Sequence, residues 1–221
     1  AQLVTTTSQP LAELVIHDYA AQAKVVSLPS TVDLTTFRSG NKSNARERFG
    51  LLPNKQYIGT AGGLYKDKGV EVIYQAWEKL KHEMPNVHLV LAGPYQPDYP
   101  PPEEERVHYL GSLAHHEIST LFQALDLGII SILDTPFGRY CFPQKAYEML
   151  ACELPVVVAN IGEMSYLFRD SPQVLFQTGN ANDLASKIQQ QLQSPQQQSI
   201  AVEDWATIIQ RLEPMITALK F

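Results

Sequence analysis

Very little in this chain could hold a metal or a disulfide framework. Cys141 and Cys152 are the only cysteines in 221 residues, and they lie in or beside an apolar helical stretch. That suits free thiols in a reducing compartment better than a disulfide scaffold. The six histidines (His17, His82, His88, His108, His115, His116) make no His-x-x-x-His or Cys/His cluster, and Asp-x-Asp is absent. No tightly bound catalytic metal is therefore expected. Clustered basic charge is also missing: 17 Lys and Arg against 23 Asp and Glu give a net charge of −6, which argues against a nucleic-acid partner. No apolar run approaches the roughly 20 residues of a membrane span, and the N-terminus lacks the basic-then-apolar pattern of a secretory signal. A cytoplasmic location is expected, with contact at the inner face of a membrane left open. The first residue is Ala1 rather than methionine, so the chain reads as a piece of a longer protein.

What is present is 44% hydrophobic sequence, enough for a sizeable core. Residues 1–37 read as a strand (Leu3 to Thr6), a helix led in by Ser8 and Pro10, and a second strand from Lys24 to Leu28. A polar stretch follows, Ser39 to Ser43. A regular alternation then begins: strand Tyr57 to Ala61, helix Gly69 to Lys81, strands Val87 to Leu91 and Val107 to Leu110, helix His115 to Ala124, strand Leu127 to Ile132. The helix after Pro143 follows, then strand Val156 to Ala159, a short helix near Ile161 to Phe168, strand Gln173 to Phe176, and helix Ala181 to Leu192. Continuous apolar strands alternating with amphipathic helices predict an α/β fold, a Rossmann-like parallel sheet covered by helices on both faces, with ligands at the carboxyl ends of its strands. Gln189 to Gln198, broken by Pro195, reads as a linker or a frayed helix end. Beyond it Trp205, Ile208, Ile209 and Leu212 recur at helical spacing, and Pro214 is expected to break or kink that helix.

The most informative stretch is Pro143 to Val158. Ala146, Met149 and Leu150 share one helical face, and Pro155 closes the helix before a buried strand. Lys145 and Glu148, three residues apart near the helix N-terminus, suit an anionic or hydroxyl-bearing ligand. Glu148 to Val157 resembles the pattern Glu-Ala-Met-Ala-Cys-Gly-x-Pro-Val-Val of the retaining glycosyltransferases of the two-domain GT-B fold, with Glu153 where glycine is usual. Pro143, Lys145 and Glu148 also fit a Pro-x-Lys-x-x-Glu variant of that motif.

A second motif supports the resemblance. Gly62-Gly63-Leu64-Tyr65-Lys66-Asp67-Lys68-Gly69 follows a strand and opens a helix, where backbone N–H groups and Lys68 can approach a diphosphate. It is similar to the family's Gly-Arg-Leu-x-x-x-Lys-Gly loop. Gly63 replaces the arginine, and Lys66 is the residue expected to compensate. The family also carries an acid eight residues before its ribose-binding glutamate. Tyr140 stands there, and Asp134, in a loop similar to Glu-x-Phe-Gly, is the candidate replacement. Gly93 and the Val107, Leu110, Gly111 segment match the region near the nucleobase, bordering a stiff loop with five prolines between Pro94 and Pro102. His115 and His116 are read as surface residues in the first turn of a helix.

The resemblance implies the C-terminal, donor-binding half of a glycosyltransferase acting with retention and without metal. Residues 1–37 would be the tail of the N-terminal acceptor domain and its linker, 38–198 the nucleotide-sugar-binding domain, and 199–221 a helix returning towards the N-terminal domain. Lys68 and Glu148 are the residues expected to act in catalysis. Gly62, Gly63, Lys66, Lys68, Gly93, Leu110, Asp134, Tyr140, Lys145 and Glu148 are expected to bind the donor. No cofactor is expected beyond the nucleoside-diphosphate-sugar itself, and the partners implied are a saccharide or lipid-linked acceptor and the rest of the N-terminal domain. The alternative is a non-catalytic nucleotide-binding or scaffolding module on the same fold, with Glu148 merely paired to Lys145 on a solvated surface. A dinucleotide oxidoreductase ranks below both, because no Gly-x-Gly-x-x-Gly is present.

Overall fold

The computed structural model describes residues 1–19, 23–196, 198 and 200–219. Two parallel strands, β1 (Leu3–Thr6) and β2 (Lys24–Ser27), flank helix α1 (Gln9–Asp18) and form a sheet of their own. Ser8 caps α1 by accepting the Leu11 N–H at 3.3 Å, satisfying a donor that the first turn leaves free.

The remainder runs α2 (Lys42–Arg48), β3 (Gln56–Ala61), a 3₁₀ turn (Lys66–Lys68), α3 (Val70–Glu83), β4 (Val87–Ala92), β5 (Val107–Tyr109), α4 (His115–Ala124) and β6 (Leu127–Ile130). Then follow α5 (Pro136–Tyr140), α6 (Gln144–Ala151), β7 (Val156–Ala159), α7 (Gly162–Leu167), β8 (Leu175–Phe176), α8 (Ala181–Gln193) and α9 (Trp205–Thr217). Six strands pair entirely in parallel in the order β5-β4-β3-β6-β7-β8. Every residue of β4, β6 and β7 is buried, as an uninterrupted apolar run demands when helices cover both faces. Val70, Ile73, Ala76, Trp77 and Leu80 make the buried stripe of α3, which packs against α8, while α4 packs against α2 and α6. Among the described residues no helix is long and apolar enough to cross a membrane.

The structure departs from the sequence reading in four places. Starting within the polar stretch Ser39 to Ser43 and running beyond it, where no element was expected, is α2, capped by Asn41 accepting the Asn44 N–H at 3.0 Å. Its anchor is a buried arginine rather than an apolar stripe. Arg46 donates to the carbonyls of Ala124 (3.0 Å) and Pro53 (2.9 Å) and to Asp126 (2.6 Å), which also accepts the Tyr57 N–H at 2.7 Å. The stretch after Asp134, read as a loop, is α5, nucleated by Thr135 accepting the Gly138 N–H at 3.1 Å. The strand expected from Gln173 is shortened to β8 because a 3₁₀ turn, Pro172–Val174, precedes it. Pro214 does not break α9. It stands in the last turns, where the missing N–H costs one bond and the chain continues helical to Thr217.

Helix α6 ends in a Schellman arrangement: the Leu154 N–H donates to Met149 O (3.0 Å) and the Glu153 N–H to Leu150 O (2.9 Å). This geometry needs a left-handed residue, and Glu153 supplies it at φ 58°. At the opposite end of the sheet from its loops, His88 Nδ1 and His108 Nε2 share a 2.9 Å hydrogen bond between stacked rings, beside Tyr57. One proton serves that bond, so charging both rings would replace it with repulsion. Burial first, then the neighbouring ring's charge, pulls His88 down to about 4, and burial lowers His108.

Replacing Glu153 with Gly is expected to stabilise the chain by about 0.5–1 kcal/mol, because only the side chain makes the left-handed backbone costly there. Denaturant unfolding of the two proteins measures it. For the histidine pair, the folded state binds protons less readily than the unfolded chain. Its stabilisation is therefore full above the ordinary imidazole value of 6.5 and is lost as pH falls towards about 4. Melting curves across that window should flatten in His88→Gln, and an unchanged slope would show that other groups control acid stability.

Candidate functional site

The strand order reverses between β3 and β6. From β3 the chain adds strands outwards to β5, and from β6 it adds them in the opposite direction to β8. Loops leaving the carboxyl ends of these two neighbours diverge and leave a crevice, the place where open α/β sheets bind ligands. A cavity of about 220 Å³ occupies it, walled by Lys68 from the β3 side and by Ser131, Ile132, Phe137, Cys141, Phe142, Pro143, Gln144 and Lys145 from the β6 side.

Two features fix the β3 loop. Gly69 is left-handed (φ 68°), and a Cβ there would stand 2.4 Å from Ser131 Oγ, which donates to the Gly69 carbonyl at 3.0 Å. Only glycine lets the turn carrying Lys68 lie so close to the end of β6. Lys68 then lies over the ring of Phe137, with Nζ 5.6 Å from its centroid. Gly93, at φ 123°, packs on the backbone of Gly62, where a Cβ would lie 2.1 Å from the Gly62 carbonyl oxygen. The loops after β3 and β4 are thereby held in contact.

Opposite, the first turn of α6 forms the wall with the positive end of its dipole, its Gln144 and Ala146 N–H groups held by the Phe142 (3.0 Å) and Pro143 (2.9 Å) carbonyls. Lys145 reaches from this turn to Thr60 on β3, with Nζ 3.4 Å from the buried hydroxyl. Removal from water, followed by the nearby charge of Lys68, lowers Lys145 to about 8, while Glu148 and Cys141 act in the other direction. The Cys141 thiol is itself raised by burial. One turn on, the side chain of Glu148 is only 14% exposed and its Oε1 lies 3.9 Å from His115 Nε2. Burial raises Glu148, opposed by His115 and Lys145. His115 packs edge-on against buried Phe37 at 5.0 Å.

The remaining expected residues divide. Gly62 lies beside Lys145, the position of its would-be Cβ 3.9 Å from Nζ. Gly63 lies under Tyr65. Leu110 donates its N–H to Leu91 O, and Gly93 to Gly111 O, so both belong to the β4–β5 edge of the crevice. Three of the expected residues lie outside the lining of this cavity. Lys66 is exposed, its N–H held by Gln96 Oε1 at 2.9 Å, and it does not line the cavity. Asp134 pairs with Arg139 at 2.5 Å and lines a separate hollow with Asn160, Gln177 and Lys187. Tyr140 presents its carbonyl to Ser8 at 2.8 Å. The surface pair between Lys145 and Glu148 is not found among the described residues, and His115, exposed in the first turn of α4 as expected, is the residue that approaches Glu148. Ser131, Phe137 and Thr60 were missed. The glycine-rich spacing hinted at a close neighbour, but nothing in the sequence says which strand end provides it.

A family model described as "Glycosyl transferases group 1" matches residues 55–194. D-inositol 3-phosphate glycosyltransferases of Mycobacterium marinum and Mycobacterium tuberculosis are 27% and 26% identical over 181 residues, covering 76% of this chain. The chain spans 37% and 36% of their respective lengths. Among solved structures, Anabaena HepE in complex with UDP superposes with a TM-score of 0.82 at 22% identity, covering 99% of this chain and 64% of that one. Sucrose-phosphate synthase from Thermosynechococcus elongatus gives 0.78 at 20% identity, covering 98% and 58%. These two show a shared fold, the Rossmann-like half of a GT-B architecture. The family match runs from β3 through α8, the whole six-stranded unit, and the chain belongs to the group 1 glycosyltransferases.

Proposed function

We propose that this chain is the donor-binding half of a glycosyltransferase that takes a sugar from a nucleoside diphosphate and transfers it, with retention and without a metal, to a saccharide or lipid-linked acceptor. The observation that carries this reading is the cavity at the β3–β6 reversal, with Lys68 on one wall and a helix N-terminus on the other. Glu148 sits half-buried one turn further along that helix. The diphosphate would lie between Lys68 and the first turn of α6, where fixed positive charge stabilises the anion without reorganising. The two Glu148 oxygens would accept the ribose 2′ and 3′ hydroxyls. Anabaena HepE is named in complex with UDP, and with UDP and glucose, which makes UDP the first nucleotide to test. Acceptor binding would fall to protein beyond this chain, with residues 1–37 as the end of that domain.

A non-catalytic nucleotide-binding module is the second reading, favoured by one observation: Asp134, the candidate for the missing acid, is engaged with Arg139 and faces another hollow. Sugar transfer by the intact protein separates the two.

With Glu148 replaced by Gln, the helix should persist, since the two residues have similar helix propensity, while a charged acceptor is lost. The native chain should prefer UDP over its 2′-deoxy analogue in calorimetry, and the variant should lose most of that preference. Equal selectivity in both proteins would remove Glu148 from the ribose. Lys68→Ala should weaken UDP binding about tenfold or more, in line with roughly 1.5–3 kcal/mol for a charged hydrogen bond, and Lys66→Ala much less. Native affinity should be the same in EDTA and in magnesium. A collapse in EDTA would replace the lysine-based site with a metal-based one.

A further inference from the structure

We propose that the joint between α1 and α7 is a pH-set hinge, in which ionised Glu163 loosens the hold of the six-stranded unit on the β1–β2 unit and neutral Glu163 tightens it. This does not depend on the donor-binding reading. Glu163, in the first turn of α7, is only 8% exposed, and its Oε2 accepts the Gln9 N–H at 2.7 Å. Gln9 opens α1, so the carboxylate sits at the positive end of that helix. Among the described residues no lysine, arginine or histidine lies within ion-pair distance of it: Arg139 is paired with Asp134 and Arg169 with Asp170. A second acid lies across the same joint. Glu13 of α1 accepts from Tyr166 Oη of α7 at 2.7 Å and from Gln9 Nε2 at 3.2 Å, so Gln9 serves both carboxylates and neither meets a cation. The joint is also incompletely filled. A cavity of about 450 Å³ lies against it, lined by Gln9, Glu163, Tyr166, Leu167, Arg169 and Asp170, so a small shift of α1 would bring water to Glu163.

One hydrogen bond and a helix dipole do not replace the water that a carboxylate loses on burial. Burial therefore raises Glu163, opposed by the Gln9 N–H. The other titratable groups at the joint add no positive charge to offset it. The Tyr166 phenol is raised first by its hydrogen bond to Glu13, and Tyr147 of α6 is raised by burial and then by the charges of Glu163 and Glu203. Arg169 and Asp170 line the cavity as an exposed pair of opposite sign. With α1 docked, Glu163 binds its proton more readily than it does once α1 has moved and water reaches the carboxylate. Protonation therefore favours the docked state. Docking strengthens as pH falls from neutrality through the raised value, and the gain is complete below the ordinary value of 4.5. The sign is opposite to that of the His88–His108 pair, whose contribution is lost on acidification.

The test is amide hydrogen exchange across α1 in the 221-residue chain, comparing the native protein with Glu163→Gln and with Glu13→Gln. Each variant is compared with the native protein at the same pH, so the exchange chemistry and the histidine pair cancel in the ratio. At about pH 7.5 the α1 amides of Glu163→Gln should be about threefold or more better protected than the native ones, because the amide keeps an acceptor for Gln9 without the buried charge. The gap should narrow as pH is lowered to about 5. Glu13→Gln, at an exposed position, should follow the native protein within about twofold throughout. Glu163→Gln should also melt at the same temperature or higher at neutral pH. Poorer protection of α1 in Glu163→Gln, or a lower melting temperature, would make the charge a cap that holds the joint and would overturn the proposal. A gap that does not change with pH would overturn it too. Loss of the pH dependence in Glu13→Gln would do the same, because Glu13 would then be the group that sets the hinge.

Discussion

Two strands that neighbour each other in the sheet but send their loops in opposite directions govern this molecule. β3 and β6 pair in parallel at Ile58 with Leu127 and Gly59 with Gly128. The chain leaving β3 must turn towards β4, and the chain leaving β6 towards β7. No packing of side chains closes the gap above them, because both loops are committed elsewhere. A fold that pairs these strands in this order therefore creates a crevice before any residue in it is chosen. The residues then decide what the crevice holds. Gly69 and Ser131 draw one wall inward, Thr60 meets Lys145 from the other, and the helix that follows Pro143 lines the space between with its first turn.

Electrostatics explains why such a site stays empty of protein. The charge of Lys68 opposes that of Lys145, and burial of Lys145 weakens the screening between them. A carboxylate within reach would neutralise both, but Glu148 is turned to His115 and Asp134 to Arg139. The outcome is two lysines at a helix N-terminus with no ion-pair partner among the described residues, the arrangement on which the proposed diphosphate site rests. The Arg46–Asp126 network near the amino ends of β3 and β6 shows the contrary solution. There a buried charge meets its counterion and two carbonyls, and removal of one partner would cost about 3–5 kcal/mol. The same chain satisfies its charges where it needs only stability and leaves them unsatisfied in the crevice.

This difference also decides what could be read from the sequence. Val156 to Ala159 and His115 to Ala124 were visible to the residue, because unbroken apolar runs and a 3.6-residue period are local properties. The helix α2 was not, since KSNARER has no apolar stripe and its anchor, Asp126, lies eighty residues away. α5 depends on one threonine cap over five residues, too short for periodicity to register. In the site, the residue types at Lys68, Lys145 and Glu148 were legible as a motif, yet their relations were not. Spacing of three placed Lys145 beside Glu148, whereas the fold sends the lysine towards β3 and the glutamate towards α4. Lys66 was expected to supply charge because it is near Gly63 in sequence. The lysine beside this loop in space is Lys145, next to Gly62 and on a helix about eighty positions later.

The first residues of the chain take part in this geometry through α5. Ser8 Oγ donates to the Tyr140 carbonyl and the Gln9 N–H to Glu163, so the start of α1 is fastened both to the last residue of α5 and to α7. The far end of the same short helix presents Phe137 to Lys68 and lines the cavity. Five residues thus join the β1–β2 unit to the cavity, and α5 packs between α1, α7 and the turn carrying Lys68. A displacement of α1 must strain the Ser8 and Gln9 hydrogen bonds or carry α5 with it. Breaking two such bonds costs about 1–3 kcal/mol in total, comparable to what a single charged contact in the crevice returns. The N-terminal segment and the ligand site are therefore balanced on the same small element, and the position of one is mechanically part of the shape of the other.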